Sequence, residues 1–364
     1  MVALGALSSV LLASCANAQL LLHPYIHSIL TSKASSSNPI NTIQYGAENQ
    51  HQQPLVHSSL YSDGASSSSK KSPNLPSYKA GQHTIIEQDN STCPTNGERQ
   101  WTGTVDVTDE HRLFYWFFDS RNDPENDPII FWINGGPGGS SMMGLFAEMG
   151  PCVLELNADE PVPNPWSWNN NASVLFIDQP AGVGLSSRKE GSPTPKLDFE
   201  GAVDFQVFLN IFFGDIFPDR ARLPIHFAAE SYGGHYGPTY VDHILKSRAY
   251  DSKHAFWGNI TSLILVDAVI DFVAPKIGVY ELLCSDFRGG NIISTEDCDS
   301  IRLALPECEK LGRSCEASYD GYECLAMIRY CEEHIDGPYF KEVEKGKRNP
   351  YNSEYNPFLG VCFG

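Results

Sequence analysis

LPIHFAAESYGGHYGPTYVDHILKS, residues 223–247, is the stretch whose reading decides the fold. After Pro224 the residues up to Ala229 are mostly apolar and suit a buried strand. From His235 onward Tyr236, Tyr240, Val241 and Ile244 recur at helical spacing. Between the two lie only Glu230, Ser231, Tyr232 and two glycines. A strand that turns this sharply into a helix is the local signature of a nucleophile elbow, in which a strained bend holds a hydroxyl above the end of a sheet. Ser231 is therefore a candidate nucleophile. The G-x-S-x-G pattern has Gly233 at its second end and Ala229 at its first, the mildest available replacement. A serine ahead of a helix can also serve only as a cap, and the stretch alone leaves that reading open.

Working outward, HRLFYWFFDS (111–120), DPIIFWING (127–135), ASVLFIDQP (172–180) and TSLILVDA (261–268) read as further strands rich in aromatic and branched residues. LDFEGAVDFQVFLNIFFGDIF (197–217) spaces its apolar residues as an amphipathic helix does. Strands alternating with helices predict an α/β protein: a mostly parallel sheet with helices on both faces and its site at the carboxyl ends of the strands.

A second glycine-rich stretch, WINGGPGGSS (132–141), also follows a strand. Backbone N–H groups can approach a developing negative charge there, as an oxyanion hole requires. The loop lacks the lysine and spacing of a phosphate-binding P-loop. By itself it is equally compatible with a plain turn.

Together with GLFAEMGPC (144–152), NPWSWNNNASVLFIDQPAGVG (164–184) and AESYGGHYGP (229–238), that loop resembles the serine carboxypeptidases, the carboxypeptidase Y group of the α/β-hydrolase fold. The fungal secreted branch is the most similar. The likeness runs from about Trp101 to Cys331, with the motifs in the family's order. It implies a hydrolase that removes C-terminal residues from peptides and proteins through an acyl-enzyme, without a cofactor or metal. Ser231 would be the nucleophile, and the N–H groups of Gly136 and Tyr232 the oxyanion hole. Trp132, Asn134, Gly135, Glu148 and Glu230 would hold the substrate's terminal carboxylate. A carboxylate only accepts hydrogen bonds, so two glutamates can help bind one only by retaining a proton. Binding is thus expected to weaken as pH rises. The resemblance also implies the disulfides Cys93–Cys152, Cys284–Cys298, Cys308–Cys331 and Cys315–Cys324. Their pairing is not fixed by arithmetic, since six cysteines alone allow 15 connectivities. Cys362 has no evident mate, and no compact C-x-x-C pairs suggest zinc.

Composition agrees with a secreted globular protein. The chain has 364 residues, 41% of them hydrophobic, and a formal net charge of -19, which disfavours nucleic acid and anionic membrane surfaces. The start, MVALGALSSVLLASCANA (1–18), reads as a signal peptide, since its apolar run is too short to span a membrane. A lipoprotein reading at Cys15 is weakened by the glycosylation sequons at Asn90, Asn171 and Asn259. Secretion or vacuolar delivery follows. Residues 19–80, rich in Ser, Asn, Gln and His, read as a propeptide-like or disordered segment, 81–280 as the hydrolase core, and 281–364 as a cysteine-rich lid insertion and chain end.

In this fold an acid and then a histidine follow the nucleophile along the chain. The resemblance places them on loops after later strands, in motifs like Gly-Asp-x-Asp and Gly-Gly-His-Met, neither of which occurs after Ser231. The last strands and the charge-relay partners are thus expected to be missing. Asp267 and His334 stand in the permitted order as improvised substitutes, whereas His235 and His243 read as structural or exposed. LVDAVIDFVAPK (265–276) also departs from the family's Gly-Asn-Gly and Asp-Pro pattern, and Gly139 stands where a Cys or Ser is usual.

Overall fold

The computed structural model describes residues 78–155, 158–285, 291–318 and 320–345. The expected signal peptide, most of the expected propeptide-like segment and Cys362 lie outside them. The chain divides into two compact units, one ending at Ala268 and one beginning at Val269.

The first unit is built on strands β1 (His83–Glu87), β2 (Gln100–Asp106), β3 (His111–Phe118), β4 (Ile129–Ile133), β5 (Cys152–Val153), β6 (Val162–Pro163), β7 (Ser173–Asp178), β8 (Ser187–Arg188), β9 (Ile225–Glu230) and β10 (Ile260–Val266). The main sheet runs β1-β2-β3-β7-β4-β9-β10, with β8 added to β3, while β5 and β6 pair separately. Pairing is parallel from β7 through β4 and β9 to β10, the expected arrangement, and antiparallel from β1 through β2 and β3 to β7. The sheet is therefore mixed. The fold remains that of an α/β hydrolase, with the elbow in the parallel half.

Alternation along the strands buries both faces. Tyr115, Phe117, Phe131 and Phe227 join one cluster with Phe205, Phe208 and Phe212, whereas Trp116, Phe118, Trp132 and Phe176 join another with Leu145, Phe146 and Met149. The first cluster is supplied by helices α1 (Asp198–Ile211) and α2 (Gly233–Tyr250), the two long helices of this unit. Among the described residues the opposite face is covered by a short helical turn, Gly144–Glu148, and by the segment tied through Cys93–Cys152. Helices were expected on both faces; among the described residues of this unit, the second face carries that short helical turn and the disulfide-tied segment.

Helix α2 lies close to the sheet because its first turns are nearly bare. A β-carbon on Gly233 would come 2.8 Å from the Ala229 methyl, and one on Gly237 would come 3.0 Å from Leu263. The space left by Gly233 accommodates the alanine that replaces the usual glycine at position 229.

The second unit is helical: α3 (Ala274–Cys284), α4 (Thr295–Ser318), α5 (Gly321–Cys331) and α6 (Gly337–Glu344). The sequence suggested short pieces starting at Glu281. The compact unit itself begins at Val269, and Val273, Val279, Tyr280 and Leu283 on or beside α3 pack with Ile301 and Cys308 of α4. Cys284–Cys298, Cys308–Cys331 and Cys315–Cys324 are formed within it. With Cys93–Cys152 these are the four pairs that the resemblance implied. No helix among the described residues is long and apolar enough to cross a membrane.

Candidate active site

The geometry centres on the end of β9. Its last residue, Glu230, pairs with Val266 of β10, and the next amide, Ser231 N–H, donates to Val266 O at 3.0 Å. Ser231 then takes φ 57, and Gly234 N–H donates back to Ser231 O at 3.0 Å before α2 begins. A non-glycine residue in the left-handed region costs on the order of 1–3 kcal/mol and persists only where its surroundings fix it. Here a central strand fixes one side of the bend and a helix the other. Ser231 is half-buried at that bend and lies outside the regular helix.

The glycine-rich loop after β4 forms the facing wall. Gly136 and Gly138 have φ 113 and 86, and Gly139 N–H donates to Gly135 O at 2.9 Å. A β-carbon on Gly135 would stand 2.3 Å from Tyr232 N and 2.5 Å from Glu230 O. Only glycine allows this approach, which places the backbone around Gly136 beside that of Tyr232. Behind the loop is a residue that sequence reasoning missed. Asp178, fully buried, accepts hydrogen bonds from Ser140 Oγ (2.6 Å), Ser141 N (2.9 Å) and Leu185 N (2.7 Å), so it braces the glycine loop against the turn after β7. Its signal was an acid ending an otherwise apolar strand.

Asn134 organises the carboxyl groups. Its Oδ1 accepts from Trp132 Nε1 at 2.8 Å and from Gly144 N at 3.0 Å, which fixes the amide orientation. Nδ2 is thereby left to donate to Glu230 Oε2 at 2.5 Å and Glu148 Oε1 at 3.2 Å. Trp132 and Asn134 are buried, Glu230 is half-buried and Glu148 is exposed. Gly144 must be glycine, because a β-carbon there would overlap the Trp132 indole. Trp132, Asn134, Gly135, Glu148 and Glu230 therefore form one group adjoining Ser231.

On the other side of Ser231, the Tyr232 ring stacks on His235 with centroids 4.6 Å apart, and its hydroxyl donates to Asp198 at 3.5 Å. Burial pushes the Asp198 carboxyl up, opposed by the charge of His235 and the Tyr232 hydrogen bond, and burial likewise raises the Tyr232 phenol. Among the described residues no side chain hydrogen-bonds the Ser231 hydroxyl. Asp267 follows β10 with φ 43, and His334 is exposed in a helical turn of the second unit with its ring against Tyr330.

A strained serine between a central parallel strand and a helix, faced by a glycine loop, defines the α/β-hydrolase class. Within it, the chain belongs to the serine carboxypeptidase family, which it matches over residues 91–357. It is 33% identical over 323 residues to carboxypeptidase Y of Schizosaccharomyces pombe, covering 85% of this chain and 31% of that protein. It is 39% identical over 255 residues to carboxypeptidase Y of Candida albicans, covering 70% and 44%. A vacuolar serine-type carboxypeptidase of Saccharomyces cerevisiae is 38% identical over 241 residues, covering 66% and 46%. The matched region thus spans less than half of each of these relatives. A prohormone-processing carboxypeptidase from Saccharomyces cerevisiae shares the fold with TM-score 0.50 and 23% identity, over 70% of this chain and 53% of that one.

Proposed function

We propose that this chain carries the acyl-transfer and carboxylate-binding site of a serine-type carboxypeptidase acting on peptide and protein C-termini in the secretory pathway or vacuole. Two contacts made by the chain neighbours of Ser231, Glu230 and Tyr232, support the reading. On one side Asn134, Glu148 and Glu230 are joined through a single amide. On the other the backbone of Gly135–Gly136 lies against Tyr232. In the proposed reaction the Ser231 oxygen adds to the carbonyl carbon of the last peptide bond. The hydroxyl proton passes to a base, and the carbonyl oxygen takes the negative charge in reach of the Gly136 and Tyr232 amides. As the adduct collapses the base returns that proton to the leaving nitrogen, so the C-terminal amino acid departs with a free amine; water, giving a proton to the same base, then attacks the acyl group, and the base reprotonates the serine oxygen.

Trp132 and Gly144 saturate Asn134 Oδ1, so Nδ2 is the donor that a substrate carboxylate would share with the two glutamates. Three carboxyl groups converging on one amide need a proton among them, so peptide binding tightens toward acid pH. A second reading is favoured by the absence, among the described residues, of a hydrogen-bonded base at Ser231. In it the chain binds peptide C-termini without cleaving them. Incubating the purified chain with a blocked dipeptide at acidic pH, beside Ser231→Ala, tests the proposal. Amino-acid release lost in the variant supports it. Equal, negligible release with carboxylate-dependent binding leaves the binding reading, and binding indifferent to amidation of the C-terminus overturns both.

A further inference from the structure

The strip of chain between α2 and β10 turns one large aromatic ring outward. Exposure alternates along it: Phe256 is buried, Trp257 is 64% exposed, Gly258 is half-buried and Asn259 is exposed. Trp257 and Asn259 therefore both face solvent, and two residues of chain keep their backbones within about 7 Å of each other. The strip is pinned from behind. Arg248 Nε donates to Phe256 O at 3.0 Å and Arg248 Nη2 to Gly258 O at 2.8 Å, while Ile225 N–H donates to Asn259 O at 2.8 Å. The Phe256 ring fills the space that a side chain on Gly258 would need.

The indole itself is also held. Its Nε1 donates to Ser252 O at 3.2 Å, and the Arg248 guanidinium lies over the ring, 5.7 Å from its centroid. A tethered edge and a cation over one face fix the ring while most of its surface still meets water. Asn259 stands where a cover for that surface can be attached, because Asn259-Ile260-Thr261 is an N-x-[ST] acceptor. Attachment replaces one Nδ2 hydrogen of Asn259 by the anomeric carbon of a sugar carried on a lipid diphosphate; the lipid diphosphate leaves, and the displaced proton goes to a base of the transferase. The first sugar, N-acetylglucosamine, presents C–H hydrogens on its ring face, the complement of the electron-rich face of an indole. Of the three acceptors only this one has an aromatic residue two positions ahead, since Gln88 and Asn169 hold that place before Asn90 and Asn171.

We infer that Trp257 is a stacking platform for the innermost N-acetylglucosamine of a glycan on Asn259. The sugar covers the indole and clamps the strip that leads into β10, whose last residue, Val266, accepts the Ser231 amide. The inference is independent of the chemistry assigned to Ser231.

The test uses the full chain secreted from a eukaryotic host, trimmed with an endoglycosidase to one N-acetylglucosamine per occupied site and compared with Asn259→Gln. Peptide mass spectrometry is expected to find Asn259 occupied, and an empty Asn259 overturns the inference. In hydroxyl-radical footprinting, oxidation of Trp257 should be at least about twofold slower in the trimmed parent than in Asn259→Gln, since the sugar covers the open face. Exposed Trp166 should be oxidised equally in both. The trimmed parent should also melt about 2–4 °C above Asn259→Gln, the shift expected of one stacked ring pair. That gap should vanish in a Trp257→Leu background, which keeps apolar bulk without the ring, and persist with Trp257→Phe. Equal oxidation of Trp257 with and without the sugar overturns the platform, as does a melting gap that is absent in the parent or unchanged by Trp257→Leu. The footprint needs no change at Trp257, so it decides the matter even where Trp257→Leu fails to fold.

Discussion

Gly135 lies so close to Tyr232 that a β-carbon on the first would stand 2.3 Å from the backbone nitrogen of the second. Those two residues join the glycine loop to the elbow, and the proposed oxyanion pocket depends on their contact. Gly135→Ala must push the loop away. Thermal or denaturant unfolding is expected to show a loss of about 1–3 kcal/mol, the usual scale for overpacking. Reaction of Ser231 with an active-site phosphonate should slow by at least about tenfold, since a displaced donor no longer meets the oxyanion. A variant as stable and reactive as the parent would mean that the loop can yield without consequence.

The bend at Ser231 carries its own stability signature. With φ 57, any side chain at this position strains the backbone, and glycine does not. Ser231→Gly is therefore expected to be more stable than Ser231→Ala by about 1 kcal/mol, although both remove the hydroxyl. Matched urea titrations measure the difference. The reverse order would show that the bend relaxes in solution.

The aromatic layer under α1 dominates the first unit's core. Phe205 is fully buried, and its ring meets Phe131, Phe208, Phe227 and Tyr240. Phe205→Ala should cost about 3–5 kcal/mol. Exposed Phe199, on the same helix, should tolerate alanine within about 0.5 kcal/mol. Chemical denaturation of the pair checks both.

His111 and Asp204 form a largely buried ion pair, Nδ1 to Oδ2 at 2.7 Å, which holds the imidazole above its usual pKa. The hydrogen bond to Asp204 is the main cause, working against desolvation. A raised folded-state pKa contributes stability that is fully present below the unfolded value, about 6.5, and lost as pH rises through the folded one. The melting-temperature gap between the parent and His111→Gln should therefore be widest near pH 5 and should shrink above neutrality. A gap that grows with pH would reverse the sign.

Much of this site was legible in the sequence because its constraints are local. A strand, a bend and a helix within 25 letters expose Ser231, and WINGGPGGSS shows its glycines at the positions where backbones touch. Parallel strands buried on both faces, such as FWI and LFI, announce themselves by apolar runs. The antiparallel edge was harder. QWTGTVD in β2 alternates weakly, and Gly103 breaks its pattern for a long-range reason, close contact with Tyr115 and Thr84. Asp178 was missed because its partners, Ser140, Ser141 and Leu185, come from separate loops. In the second unit Pro306 and Gly312 disguise one continuous helix, α4, whose turns are held by disulfides and by Val273 against Gly312. The alternation of strands and helices also suggested a more uniformly parallel sheet than the one formed, since nothing local tells β3 which way its neighbour runs.

The most direct test of the central claim is covalent labelling of the full chain with a fluorophosphonate at acidic to neutral pH, read by mass spectrometry of its peptides beside Ser231→Ala. One adduct on the peptide containing Ser231, absent from the variant and suppressed by a carboxylate-terminated dipeptide but not by its amide, is the predicted result. No adduct, or one on another residue, would contradict the assignment of Ser231 as the acyl-accepting group.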